Sequence, residues 1–195
     1  DKGCNVIFSP GGTLPVLSKL PKVTMSQNML PFEPNEARKF GTYSRMRLKM
    51  VLLRFAQGHS FRKAGGVVFL TEYAQKIVLQ SLDGISGLKK QIPHGIENRF
   101  RQRPRYQRDI TECSFFKPFR LLYVSILMPY KHQIQVARAV WQLRTEGLSI
   151  EMSFVGPAWG TYGEAFKDEL SKLDPNQQFL HWSGAVPFAK LHKLY

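Results

Sequence analysis

Leu122-Tyr123-Val124-Ser125-Ile126-Leu127-Met128-Pro129-Tyr130-Lys131-His132-Gln133 decides the fold of this chain. An apolar run ends in a serine, turns through Pro129 and places Lys131 where an amphipathic stretch begins. That order predicts a strand, a tight turn and the first turn of a helix. A lysine in a first helical turn opposes the helix dipole, because the free N–H groups there already favour an anion. A phosphate bound at the same end reverses the sign of that cost. A plain solvated lysine ahead of a long helix fits the same letters equally well.

The alternation continues on both sides of this stretch. Residues 120–125 read as a strand and 131–145 as a helix, with Ile134, Ala137, Val140, Trp141 and Arg144 at three-four spacing. Strand, helix, strand and helix then follow at 149–155, 161–173, 178–182 and 187–195. Upstream, 4–8 and 23–26 are short candidate strands with Pro- or Gly-containing loops behind them. Residues 36–57 form one long or two shorter helices, broken near Gly41. The apolar run 67–70 is a strand, and Thr71 is the N-cap of a helix towards Ser81. A further short strand covers 90–94. Between 96 and 117 the periodicity stops and charge dominates, as in a linker. Strands alternating with helices imply parallel sheets covered on both faces. The expected fold class is α/β, with two Rossmann-like parallel-sheet domains, both incomplete: residues 1–95 and 118–195, joined by 96–117.

At 195 residues with 43% hydrophobic side chains, the chain can bury a substantial core and is not disordered. No apolar run approaches the ~20 residues that span a bilayer, and no export leader is visible. Cys4 and Cys113 lie far apart, without paired spacing for zinc, and a reducing cytoplasm is the economical compartment. The formal charge is +14. Residues 1–90 hold 14 basic and 5 acidic side chains, a net +9, and residues 91–195 hold 14 and 9, a net +5. Such a field attracts nucleic acid, anionic lipid or phosphorylated small molecules.

Two basic clusters carry much of this charge. Between Arg38 and Lys63, cations interleave with Met46, Leu48, Met50, Leu52, Leu53 and Phe55. This is either an ordinary helix with its apolar stripe in the core, or a basic amphipathic helix lying on an acidic membrane surface. The second cluster, Arg99, Arg101, Arg103, Arg105 and Arg108 with Phe100 and Tyr106, would suit single-stranded nucleic acid. Pro104 interrupts it and it has no regular period, which favours a solvated connector. No RNA-recognition, zinc-finger or helix-turn-helix signature accompanies it.

In open parallel sheets, ligands sit at the carboxyl ends of strands. Four loops fall there: Ser9-Pro10-Gly11-Gly12, Gln27 to Phe32, Ser125 to Lys131, and Gly156 to Gly160. Gly11-Gly12 and Gly156-Pro157 also fit simple turns. GxGxxG and Walker A patterns are absent, so neither a nicotinamide enzyme nor a P-loop NTPase is supported.

These residues together resemble the retaining GT-B glycosyltransferases of the large family 4, also called glycosyltransferase group 1. Gln27-Asn28-Met29-Leu30-Pro31-Phe32 resembles that family's acceptor-side loop. Ile92-Pro93-His94-Gly95-Ile96 with Arg99-Phe100 is similar to the segment leaving its first domain. Tyr123 to Ser125 through Lys131 to Gln133 resembles the start of its nucleotide-sugar domain. Phe154-Val155-Gly156-Pro157, Gly184-Ala185-Val186-Pro187 and Leu191 to Tyr195 follow that domain's order. The resemblance implies transfer of a sugar from a nucleotide diphosphate sugar to a glycan or lipid-linked acceptor, with retained configuration and no cofactor or metal. It assigns Lys131, Ser125 and Gly156 to the donor diphosphate, and Ala185 and Val186 to the base. Gln27, Asn28, Thr71 and Gly12 fall on the acceptor or donor-sugar side. Cytoplasmic placement is implied, at an anionic inner membrane face where the acceptor is lipid-linked.

Departures from the family carry weight. Many relatives have arginine where this chain has Ile126, and histidine where it has Gln27. The family's paired glutamates, which hold the donor's ribose and sugar, are expected beyond Tyr195, and its first strand and glycine loop before Asp1, so the chain reads as a central fragment that is inactive alone. Two rivals follow: a non-catalytic GT-B-like module that binds nucleotide or membrane, and nucleic-acid binding driven by charge. The resemblance implies no nucleic-acid partner.

Overall fold

The computed structural model describes residues 3–41, 43–104 and 106–195; Arg105 of the second basic cluster lies outside the described residues. Contacts divide the chain into two compact units, Asp1–Gly95 and Ile96–Tyr195.

The first unit carries a four-stranded parallel sheet in the order β1 (Ile7–Ser9), β2 (Lys22–Ser26), β3 (Gly66–Phe69), β4 (Leu88–Gln91). In register, Thr24 pairs with Ser9 and with Val67, and Val68 with Lys90. β3 is buried at all four positions and β4 exposed at all four, as expected of a central and an edge strand. The β4 edge carries Lys89 and Lys90, whereas exposed Val6 and Phe8 mark the β1 side. Strand β1 is shorter than the sequence suggests, stopping ahead of Pro10. Strand β4 starts and ends earlier than 90–94, because Pro93 has no N–H to extend the ladder.

Two helices fall between Phe32 and Ala64: α1 (Pro34–Arg38) and α2 (Arg45–Lys63). Ser44 caps α2, its hydroxyl accepting from Arg47 N–H at 3.1 Å. The apolar stripe of α2 is not the one the core uses. Met50, Gln57, Gly58 and Phe61 are buried, while Leu48, Val51, Leu52 and Phe55 face solvent. Thr71 caps α3 (Glu72–Ser81) as predicted, accepting from Ala74 N–H at 3.1 Å. The core joins Phe61, Val67, Phe69, Val78 and Phe32.

The second unit holds a three-stranded parallel sheet, β5 (Phe119–Val124), β6 (Ile150–Val155) and β7 (Leu180–Trp182), in that order. Helices α4 (Gln133–Thr145) and α5 (Tyr162–Leu173) pack with it. Phe154 meets Phe166 edge-on at 4.9 Å inside this core. Buried Asp174 latches α5 to β7 by accepting from Gln178, Phe179 and Leu180 N–H at 2.7–2.9 Å. An Arg138–Glu169 ion pair at 2.6 Å ties α4 to α5. The predicted 187–195 helix is instead α6 (Phe188–Leu191) with a tight turn over His192–Leu194. Not all of the connector is solvated: Phe100 packs on Phe188, His192 and Tyr195, and the Arg99 guanidinium lies 4.3 Å from the Phe188 ring centre. Aromatic contact outweighs the irregular pattern there.

Candidate functional site

Three parallel strands of the second unit end side by side, and main-chain hydrogen bonds tie their carboxyl-terminal loops together. Ser125 follows β5, and its N–H donates to Val155 O at 2.9 Å. Gly156 follows β6, and its N–H donates to Gly184 O at 2.7 Å. Leu127 N–H then reaches Pro157 O at 2.8 Å, and Trp159 N–H reaches Leu127 O at 3.1 Å. Gly156 has φ +144°, and a Cβ on it would overlap the Ser125 carbonyl. Glycine is needed here for the close approach as well as for the backbone angle. Ser125, Gly156 and the Gly184-Ala185-Val186 segment are thus brought to one rim.

Lys131 belongs to the same loop, but not to the helix. Pro129–Lys131 form a separate tight turn, His132 adopts φ 59°, and α4 opens only at Gln133. The expected first-turn position of Lys131 is corrected: Pro129 starts a turn of its own, and left-handed His132 separates it from the helix. Half-buried Tyr123 and buried Gln133 hold this loop. Tyr123 Oη donates to Lys131 O at 2.6 Å, and Gln133 Nε2 donates to Ile126 O at 3.0 Å. Burial, then the neighbouring Tyr130, holds the Tyr123 phenol above its ordinary pKa. Left-handed His132 is the N-cap residue of α4. The first N–H groups of a helix favour an anion. Ser125 Oγ donates to Ile126 O at 3.2 Å.

Sequence reasoning missed Trp182. Its Nε1 donates to Gly156 O at 3.0 Å, and its ring helps wall a concavity with Ala158, Gly163 and Glu164. Gly163 has no space for a Cβ beside Ala158, so the start of α5 closes against the Gly156 loop. The available signal was positional: Trp182 ends a predicted strand and so falls at the carboxyl edge of the sheet. Tyr123 and Gln133 gave no comparable signal, since their partners are carbonyls on the same loop.

In the first unit, Gly12, Gln27, Asn28 and Thr71 lie on the loops after β1, β2 and β3, along one sheet edge. Gly12 is buried at φ +81°, and a Cβ would strike the Gln57 amide. Asn28 Oδ1 accepts from Leu30 N–H at 3.1 Å and opens the tight turn Leu30–Phe32. Gln27 is exposed and donates to Met25 Sδ at 3.2 Å. The Thr71 hydroxyl is engaged as the helix cap. Among the described residues, no three His, Cys, Asp or Glu side chains cluster as metal ligands. No helix among them is long and apolar enough to cross a membrane.

No protein-family model and no curated protein matches this chain. Solved structures do. HepE of Anabaena, crystallised with UDP and glucose, superposes with a TM-score of 0.62 at 18% identity, over 90% of this chain and 44% of HepE. The same protein with UDP-glucose gives 0.60 at 19% identity, over 87% and 43%. TarM gives 0.57 at 11% identity, over 94% of this chain and 33% of TarM. The chain therefore spans less than half the length of these neighbours. Each unit is α/β with a parallel sheet, and together they resemble the domains of the GT-B glycosyltransferase fold.

Proposed function

We propose that this chain is the central part of a retaining glycosyltransferase of family 4, of the hexosyltransferase type, moving a sugar from a nucleotide diphosphate sugar to a glycan or lipid-linked acceptor. Residues 1–95 are the end of the acceptor-side domain, 96–117 the interdomain linker, and 118–195 the start of the donor domain. The observation that carries this reading is the rim where Ser125, Gly156 and Gly184 are joined through main-chain hydrogen bonds, in a fold shared with a protein crystallised with UDP-glucose.

In this reading the Lys131 ammonium meets the donor diphosphate and offsets the charge that grows on the leaving group. The start of α4, Ser125 and the Gly156 main chain bind the same phosphates. Ala185 and Val186 hold the base through backbone contacts, and Tyr123 keeps Lys131 in place through its carbonyl. Gly12, Gln27, Asn28 and Thr71 serve the acceptor and donor-sugar side, Thr71 by shaping the loop it caps. The paired glutamates of the family would lie beyond Tyr195. A cytoplasmic enzyme with a lipid-linked acceptor would work at the inner membrane face.

The test uses the full-length protein with UDP-glucose and UDP. Saturable UDP binding together with slow release of glucose or transfer to an added glycan is the expected result. Failure to bind any nucleoside diphosphate would overturn the reading. Ile126, at the rim where many relatives carry arginine, favours a second reading, a module that holds the nucleotide without turnover. UDP binding without hydrolysis or transfer across a panel of nucleotide sugars would select it.

A further inference from the structure

A cavity of about 340 Å³ in the first unit stands apart from the loops that follow the strands. Leu14, Pro15 and Val16 of the β1–β2 connector form one wall, and Lys22, His59 and Lys63 line the other. Ser60 fixes this frame. Its hydroxyl donates to Ala56 O at 2.8 Å and accepts from Leu14 N–H at 3.0 Å, which pins the connector to α2. His59 and Lys63 stand one turn apart on α2 and so share a face. Lys22 is the first residue of β2 and lies on the same side of the strand as buried Thr24 and Ser26. Gly65 N–H donates to Lys22 O at 2.9 Å and holds the end of α2 beside it.

Charge gives this cavity its chemistry. Neither residues 3–32 nor α2 contain an Asp or Glu. Among the described residues, Lys22, His59 and Lys63 take part in no salt bridge. The helix dipole accounts for Lys63 alone, since a cation in the last turn of α2 is favoured. It does not account for a half-buried strand lysine that converges on the same hollow. A cleft lined by charge of one sign, with a low-dielectric wall, focuses the field and draws in a counter-ion. Two ammonium groups and an imidazole supply charge-assisted donors of the kind that hold phosphate oxygens. The Leu14–Val16 wall supplies apolar contact beside them. We propose that this cavity binds a small phosphate monoester, its phosphate held by Lys22, His59 and Lys63 and its apolar substituent lying on Leu14 and Val16. Lys22 opens β2 and Lys63 closes α2, so the site belongs to the amino end of the sheet and does not depend on the glycosyl-transfer reading.

The experiment is calorimetric titration of the full-length protein with phenyl phosphate and, separately, with inorganic phosphate. Saturable binding of phenyl phosphate is expected, severalfold tighter than inorganic phosphate because the ring adds apolar contact. Its affinity should fall about tenfold or more in Lys22→Gln/Lys63→Gln, and severalfold in His59→Gln. Lys19→Gln should bind as wild type, since Lys19 is an exposed cation of the same connector that does not line the cavity. Lys131→Ala should also bind as wild type, which separates this cavity from the rim of the second unit. Lys22 is half-buried, so the exposed single variant Lys63→Gln is read beside the pair. It should keep the wild-type unfolding temperature and still bind severalfold more weakly. Absence of phenyl phosphate binding, or a loss in Lys19→Gln as large as in Lys63→Gln, would overturn the inference. So would a loss in Lys131→Ala, which assigns the anion to the rim. Inorganic phosphate binding as tightly as phenyl phosphate would overturn the monoester as ligand.

Discussion

A methyl group on Gly156 would occupy the space of the Ser125 carbonyl, at a backbone angle of φ +144° that side chains rarely adopt. Gly156→Ala should therefore strain the junction of β5 and β6 by ~1–3 kcal/mol. Calorimetry of UDP binding and thermal unfolding should both register it. Lys131→Ala should behave differently, since Lys131 is half-buried on a loop held by Tyr123 and Gln133. A charge-assisted contact to a diphosphate is worth ~1.5–3 kcal/mol, so UDP affinity should drop by one to two orders of magnitude. The unfolding temperature should hardly move, and unchanged UDP affinity would remove Lys131 from the donor site. Much of this rim could be read from the letters alone: Ser125, Lys131 and Gly156 lie where strands end. What escaped was the left-handed His132, because the periodic pattern of α4 runs through it, and Trp182, whose partner is a carbonyl on a loop remote in sequence.

The Arg138–Glu169 pair joins α4 to α5, the two helices that follow β5 and β6. The hydrogen bond from Arg138 is the main cause that holds the Glu169 carboxyl below its ordinary pKa. A carboxylate lowered by folding contributes stability above its unfolded pKa, and loses that contribution as pH falls through the folded value. Arg138→Gln should lower the unfolding temperature at neutral pH, with the difference from wild type vanishing in acid. Unfolding curves over pH check this, and a gap that persists in acid would point to lost packing instead. At this scale the pattern of alternating elements was legible, down to Thr71 as a cap. The buried face of α2 was not, because apolar residues on two sides give no single period. Only the packing of Met50 and Phe61 against the sheet shows which side is inside.

A net charge of +14 acts on every polyanion, whatever the fold. Non-specific nucleic-acid binding should decay linearly in log affinity against log salt, with a slope set by several phosphates. If UDP binds as proposed, through main chain and one lysine at the rim, its affinity should fall far less steeply. Filter binding with RNA beside UDP calorimetry across a salt series would show two distinct slopes; a common steep slope would favour the nucleic-acid reading. The contacts separate two compact units after Gly95, and residues 96–117 belong to the second of them. The sheet borders have a consequence for handling the protein. Lys89 and Lys90 guard the β4 border, since adding another strand there would bury their charge. Among the described residues the β1 border has no such guard, only Val6 and Phe8. If the chain is overproduced by itself, that border is where strand-on-strand clumping should begin. A lysine placed at Phe8 would be the first change to try for a better-behaved preparation.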